Sequence, residues 1–239
     1  MPAKKQVYYT AYRMVNYYNM TLSIYKKFLY TMLMNYYPEV IPVFPLSGVI
    51  YFPKTNLPLN IFEQRYLNLV NDAYKKNKLM GMVQSKKRGD SVYNVGCLGK
   101  ISDYKKNKDG RILINLIGVT RFEILNEKVN NKLYREFKVN YKNFENDVTQ
   151  DEKTKINSSK LIEKTKLFFK NNGFLLNWQE FEKIDQTQMI NTLSMISPIT
   201  NEEKQKLLET LSLEEKIKTL ENIVDFYLHE VNFNNRTVQ

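Results

Sequence analysis

The chain has 239 residues, enough for one large domain or two small ones around a sizeable core. Hydrophobic residues make up 43% and charged residues 26%, an ordinary balance for a globular protein, and the net charge of +11 suits acidic or polyanionic partners without bearing on the fold. One cysteine, Cys97, and one histidine, His229, exclude an internal disulfide, a cysteine-based zinc site and any centre needing two imidazoles.

Residues 1–38 contain no acidic side chain and many tyrosines, as in YYTAYR, NYYN and NYYP. Three readings stand side by side: a targeting segment, an interfacial amphipathic stretch beside Lys26 and Lys27, or a true start at Met32 or Met34. The uncharged run from Met14 to Tyr25 is polar and too short to span a bilayer, and no transmembrane segment is expected. Charge is uneven along the chain: nineteen Lys/Arg stand against ten acids in residues 41–150, but twelve against fourteen in 151–239.

Residues 39–148 form the expected β-rich domain. Ile41–Phe44 and Val49–Phe52 are short apolar runs separated by Pro45 and a Ser47-Gly48 turn. Phe62–Lys75 predicts a helix, because Phe62, Tyr66, Leu69, Val70 and Ala73 recur at helical spacing. Leu79–Gln84 is expected as a buried strand. Cys97–Tyr104 and Arg111–Ile117 flank Asp109-Gly110, a hairpin signal, and Val119–Leu125 and Tyr134–Tyr141 complete the strands. The mixture predicts an α+β fold.

From about residue 149 to 239 the pattern turns helical. Ile156–Asn172 is periodic and stops at Asn172-Gly173, and Gln179–Ile196 is expected as one further helix ending before Ser197-Pro198. Thr200…Glu203 and Ser212…Glu215 have the spacing of capping boxes and place helix starts near 201 and 213.

The runs IPVFPLSGVIYFPKTNLPLNIFEQRY and VYNVGCLGKISDYKKNKDGRILINLIGVTRFEIL resemble the N-terminal substrate-recognition domain of Lon proteases, over Ile41–Phe144. The stretch NWQEFEKIDQTQMINTLSMISPITNEEKQKLLE is similar to small stand-alone bacterial proteins that carry only this domain. The resemblance implies a PUA-like β-barrel sheet with one long helix, followed by a C-terminal helical bundle. It also implies recognition of unfolded or client polypeptide in protein quality control. The single cysteine fits a reducing compartment, the cytoplasm, and the lack of catalytic motifs leads to the expectation of a module without catalysis or cofactor. The family's ATPase motif, GxxxxGK[ST], does not occur in the 239 residues.

Candidate peptide-binding residues are Phe52, Pro53, Leu57, Leu59 and Phe62, dense apolar side chains beside a turn. The competing reading packs them in the core, joining helix to sheet. Glu63 and Arg65 are expected as structural charges on the first helical turn, facing different directions. Cys97 is expected as a buried small hydrophobe, and His229 as a surface residue. Lysines cluster at 75–78, 86–88 and 105–108; gathered on one face they would bind phosphates, and otherwise they are solvated loop charges. An RNA-binding module and an adaptor for one folded partner are therefore the alternative functions. No metal-ligand or nucleophile motif is present.

Overall fold

The computed structural model describes residues 37–86, 91–149 and 156–234. The expectations for the leading tyrosine-rich segment, and for Lys87 and Arg88, lie outside the described residues. The chain divides into two compact units at Pro38/Glu39, and the sheet and helices of the described residues belong to the second.

Six strands form one mixed sheet: β1 (Val40–Leu46), β2 (Asn56–Ile61), β3 (Leu79–Gln84), β4 (Val95–Lys106), β5 (Ile112–Lys128) and β6 (Arg135–Asn140). Their order is β2-β5-β4-β3-β1-β6, with β1 parallel to β3 and the other pairs antiparallel. β6 also pairs with the C-terminal part of β5, from Glu123↔Asn140 to Lys128↔Glu136. β3 is buried along its whole length, as its apolar run LMGMV requires. The Asp109-Gly110 turn closes the β4–β5 hairpin, with Gly110 at φ +87°.

The helix α1 (Gln64–Lys76) buries Tyr66, Leu69, Val70 and Ala73 against the sheet, the stripe its spacing predicts. Leu69 and Val70 are wholly buried, each contributing about 1.5–3 kcal/mol of apolar transfer. Glu63 is the N-cap in extended conformation rather than a first-turn residue, and Arg65 folds back onto it at 2.8 Å. The pair therefore meets, contrary to the expectation that the two side chains diverge.

Three further departures have physical causes. Val49–Phe52 is not a strand: its side chains alternate between two cores, Tyr51 packing with the sheet and α1, Ile50 and Phe52 with the helices. Asn56–Ile61 is a strand despite Pro58, because β2 ends the sheet order and pairs only with β5, where a missing N–H is tolerated. Arg111–Ile117 and Val119–Leu125 are one strand running through Gly118. There the loop after Phe52 presses against β5; a Cβ on Gly118 would lie 2.1 Å from the Phe52 carbonyl oxygen.

The short helix α2 (Asn146–Thr149) follows the sheet, and then α3 (Ser159–Asn171), α4 (Trp178–Phe181), α5 (Gln186–Ile196), α6 (Asn201–Glu209) and α7 (Leu213–Asn234). The single helix expected over 179–196 is broken, because Asp185 caps α5 by accepting from the Gln188 N–H at 3.0 Å. The Thr200/Glu203 capping box forms in both directions. At Ser212 the hydroxyl accepts from the Glu215 N–H, while the Glu215 carboxylate reaches the Leu211 N–H.

Candidate functional site

The structure separates the five candidate residues. Phe52 is wholly buried among the helices, and Pro53 and Leu57 are buried as well, so a ligand cannot reach them in this conformation. Leu59 is half-buried, and Phe62 stands 65% exposed just after β2. Apolar density flags this segment in sequence. Which of its residues face inward is decided by β2 pairing, a register invisible without the strand assignment.

That register creates an open face that sequence reasoning missed. On β5, Ile112, Ile114 and Leu116 point into the core, while Leu113, Asn115 and Ile117 point outward. Leu113 is 39% and Ile117 42% exposed. Across β2 they pair with Asn60, Pro58 and Asn56, and across β4 with Lys105, Asp103 and Lys100. Three cross-strand rows thus place an apolar central strand between an uncharged edge and a mixed-charge, mainly basic margin. The unusual signal was in the sequence ILINLI: every position is apolar or amide, with no charge on the outward set.

Between sheet and helices lies a buried polar seam. Arg121, on β5, is 3% exposed; its guanidinium meets the Asp147 carboxylate at 2.8 Å and donates to the carbonyls of Leu208 and Thr210 at the end of α6. Lys216, on α7, is equally buried and donates to Asn191 Oδ1 at 2.7 Å, while Asn191 Nδ2 donates to the Pro53 carbonyl at 2.9 Å. The Lys216 ammonium also lies 5.2 Å from the Phe52 ring centre. Burial, reinforced by Arg121 and opposed by Asp147 and Cys97, pulls the Lys216 ammonium down to about 7. Enclosed in this way, the amine binds the fold together and meets no substrate.

Cys97 is wholly buried on β4, and burial pushes its thiol well above the usual value, so it is held as an unreactive thiol. His229 is exposed on α7. An open groove of about 350 Å³ between α6 and α7 is lined by Glu203, Lys206, Thr219, Asn222, Ile223 and Phe226. Its mixed, shallow lining shows no convergent set of polar groups of the kind a small-molecule site uses.

Residues 40–225 match the family described as the ATP-dependent protease La (LON) substrate-binding domain. The chain is 25% identical over 209 residues to the Lon protease of Syntrophus aciditrophicus (strain SB), covering 80% of this chain and 25% of that protein. It is 23% identical over 203 residues to the Lon protease of Endomicrobium trichonymphae, covering 81% and 25% respectively. The chain thus spans about a quarter of the length of these relatives. Among solved structures, a Lon N-terminal domain protein from Xanthomonas campestris is similar with a TM-score of 0.58 at 19% identity, covering 76% of this chain and 96% of that one. The N-terminal domain of Mycobacterium avium complex Lon protease gives 0.57 at 17%, covering 78% and 98%. At these identities the structural likeness concerns the fold.

Proposed function

The chain belongs to the LON substrate-binding domain family, and from that premise we propose that it is a non-catalytic module recognising unfolded polypeptide. It would present bound segments to an unfolding and proteolytic machinery in protein quality control. The observation that carries this reading is the open β2–β5–β4 face, where Leu113 and Ile117 are exposed in one row system with Pro58 and Phe62 follows the edge strand. An extended apolar segment lays its side chains on such a face, and Lys100 and Lys105 favour acidic residues flanking it. Affinity is modest, because a disordered ligand loses conformational entropy on ordering. The return of β6 onto β5 supports reading the sheet as a PUA-like barrel that holds this face rigid.

Fluorescence anisotropy of the full chain with a labelled, reduced and carboxymethylated protein tests the proposal. Binding should persist from low to high salt, since apolar contacts strengthen with excluded salts. The double variant Leu113→Asp/Ile117→Asp should bind at least about tenfold more weakly, a loss of roughly 1.4 kcal/mol. Wild-type affinity in that variant would sink the assignment of this face.

A further inference from the structure

The helix α3 ends on the one Asn-Gly pair in the chain, Asn172-Gly173; every other asparagine is followed by a residue that carries a side chain. An asparagine with glycine after it can modify itself. The backbone nitrogen of the glycine attacks the asparagine Cγ, and glycine, with no Cβ, neither blocks that approach nor resists the bend it requires. Asn172 and Gly173 are both exposed, and nothing lies within 4 Å of where a Cβ on Gly173 would sit, so water reaches the pair freely.

The fold holds this pair in an unreactive arrangement. Gly173 stands at φ +74°; its N–H donates to the Lys170 carbonyl at 3.1 Å, and the Phe174 N–H donates to the Phe169 carbonyl at 2.9 Å. Those two bonds are the pair that closes a helix on a left-handed glycine. Asn172 has ψ 10°, and its Nδ2 donates to the Phe168 carbonyl at 2.8 Å. The attacking nitrogen and the leaving amide are thus each tied to a carbonyl of the last turn. Apolar contact clamps that turn. The Phe174 ring centre lies 5.7 Å from that of Phe169, and Phe169, itself buried, lies 5.8 Å from Trp178 of α4. The clamp sits at a helix end, with Leu175 fully exposed beyond it, where local opening costs least.

We propose that Asn172 is a site of self-deamidation and that the cap of α3 is its brake. When the turn opens, the Gly173 nitrogen bonds to Cγ and the bond from Cγ to Nδ2 breaks. The proton lost from the Gly173 N–H passes through solvent to the departing amide, which leaves as ammonia. Water then adds to the cyclic succinimide at either carbonyl, giving aspartate by one route and isoaspartate by the other. Aspartate replaces a donor to the Phe168 carbonyl with a negative charge at the negative end of the helix dipole. Isoaspartate runs the backbone through Cβ, so one extra carbon separates α3 from Gly173 and the closing bonds lose their register. Either product loosens the seat of Phe174 on Phe169, next to the chain's one tryptophan.

Peptide mapping by mass spectrometry tests this on the full chain, incubated in mildly alkaline buffer either native or in guanidinium chloride, with isoaspartate resolved from aspartate by chromatography. In denaturant Asn172 should convert faster than every other asparagine. In the native protein it should convert at least about tenfold more slowly, because only the opened fraction reacts. Phe174 is 45% exposed, so Phe174→Ala removes the clamp without opening the core, which thermal unfolding verifies. That variant should convert at least about threefold faster than the parent when native, and at the parent's rate when denatured. Trp178 fluorescence of the native parent should change in proportion to the converted fraction. Another asparagine converting faster in denaturant would overturn the site. Equal native and denatured rates, or a native Phe174→Ala rate no faster than the parent's, would overturn the brake.

Discussion

Around the sheet, Lys75, Lys76, Lys78 and Lys106 stand in solvent with no carboxylate paired to them among the described residues, whereas the helical half turns several of its cations inward or pairs them. Lys164 bridges Glu221 and Asp225 between α3 and α7, Lys166 meets Glu182, and Lys216 is enclosed altogether. Apolar groups do not divide in this way: the β2–β5–β4 face leaves Leu113 and Ile117 uncovered and the helical half leaves Leu167, Leu175 and Phe226, while each half closes a core of its own, Phe168, Leu193, Leu207 and Leu220 among the helices. The contrast concerns these lysines: those at the end of α1 and β4 face solvent, and Lys164, Lys166 and Lys216 serve cohesion among the helices. The seam between the two halves is polar, and its charges are where the contrast can be broken.

The largest effect is expected at Asp147. Replacing it with alanine leaves the Arg121 guanidinium buried without its counter-charge, which costs about 3–5 kcal/mol. Urea unfolding followed by Trp178 fluorescence and by far-ultraviolet circular dichroism measures the loss. A variant as stable as the parent would show that the seam does not hold the halves together.

Lys216 sharpens the contrast through pH. Its folded-state value, about 7, lies below the ordinary 10.5, so between these values the unfolded chain binds a proton that the native protein does not. The contribution of this group to stability therefore rises with pH through that window, with a slope approaching about 1.4 kcal/mol per pH unit. Below pH 7 both states are charged and native Lys216 bears its full burial penalty. Unfolding free energies from pH 6 to about 9.5 should climb in the parent, and Lys216→Met should remove this component of the climb. An unchanged profile in the variant would mean that the ammonium is solvated in the native state.

The smallest effect belongs to the outward cations. Reversing Lys75, Lys76, Lys78 and Lys106 should cost no more than about 1 kcal/mol per site: Lys75 and Lys76 lose a favourable place in the last turn of α1, Lys78 loses its contact 4.9 Å from the Tyr74 ring centre, and Lys106 costs least. Destabilisation well beyond this would place them in the cohesive class and erase the distinction.

Much of the fold was legible in local signals. The stripe Tyr66, Leu69, Val70, Ala73 defines α1, the apolar run Leu79–Gln84 is β3 to the residue, and Thr200/Glu203 starts α6 where its cap predicts. What was not legible depends on long-range packing. The segment around Pro58 carries no strand assignment until β2 is known to lie at the sheet edge, and Gly118 separates two expected strands until the loop after Phe52 is seen against it. Asp185 could have been recognised as a cap inside the expected helix, from its offset to Gln188. The candidate site suffered in the same way. Apolar density located the β2 region, but burial of Phe52 and Leu57 and exposure of Leu113 and Ile117 follow from cross-strand register. Lys216 sits in EEKIK, a pattern that reads as a solvated helix face, and nothing local announces that α7 turns it toward Asn191.

Pro58 bears on how many copies of the protein can coexist in one solution. β2 ends the sheet with no strand beyond it among the described residues, next to a face that is apolar at its centre. A strand end of this kind invites another copy to extend the ladder. Proline offers no N–H, so the row of donors is interrupted at its middle, between Asn56 and Asn60. The sheet can stay sticky on its face while its rim refuses to polymerise.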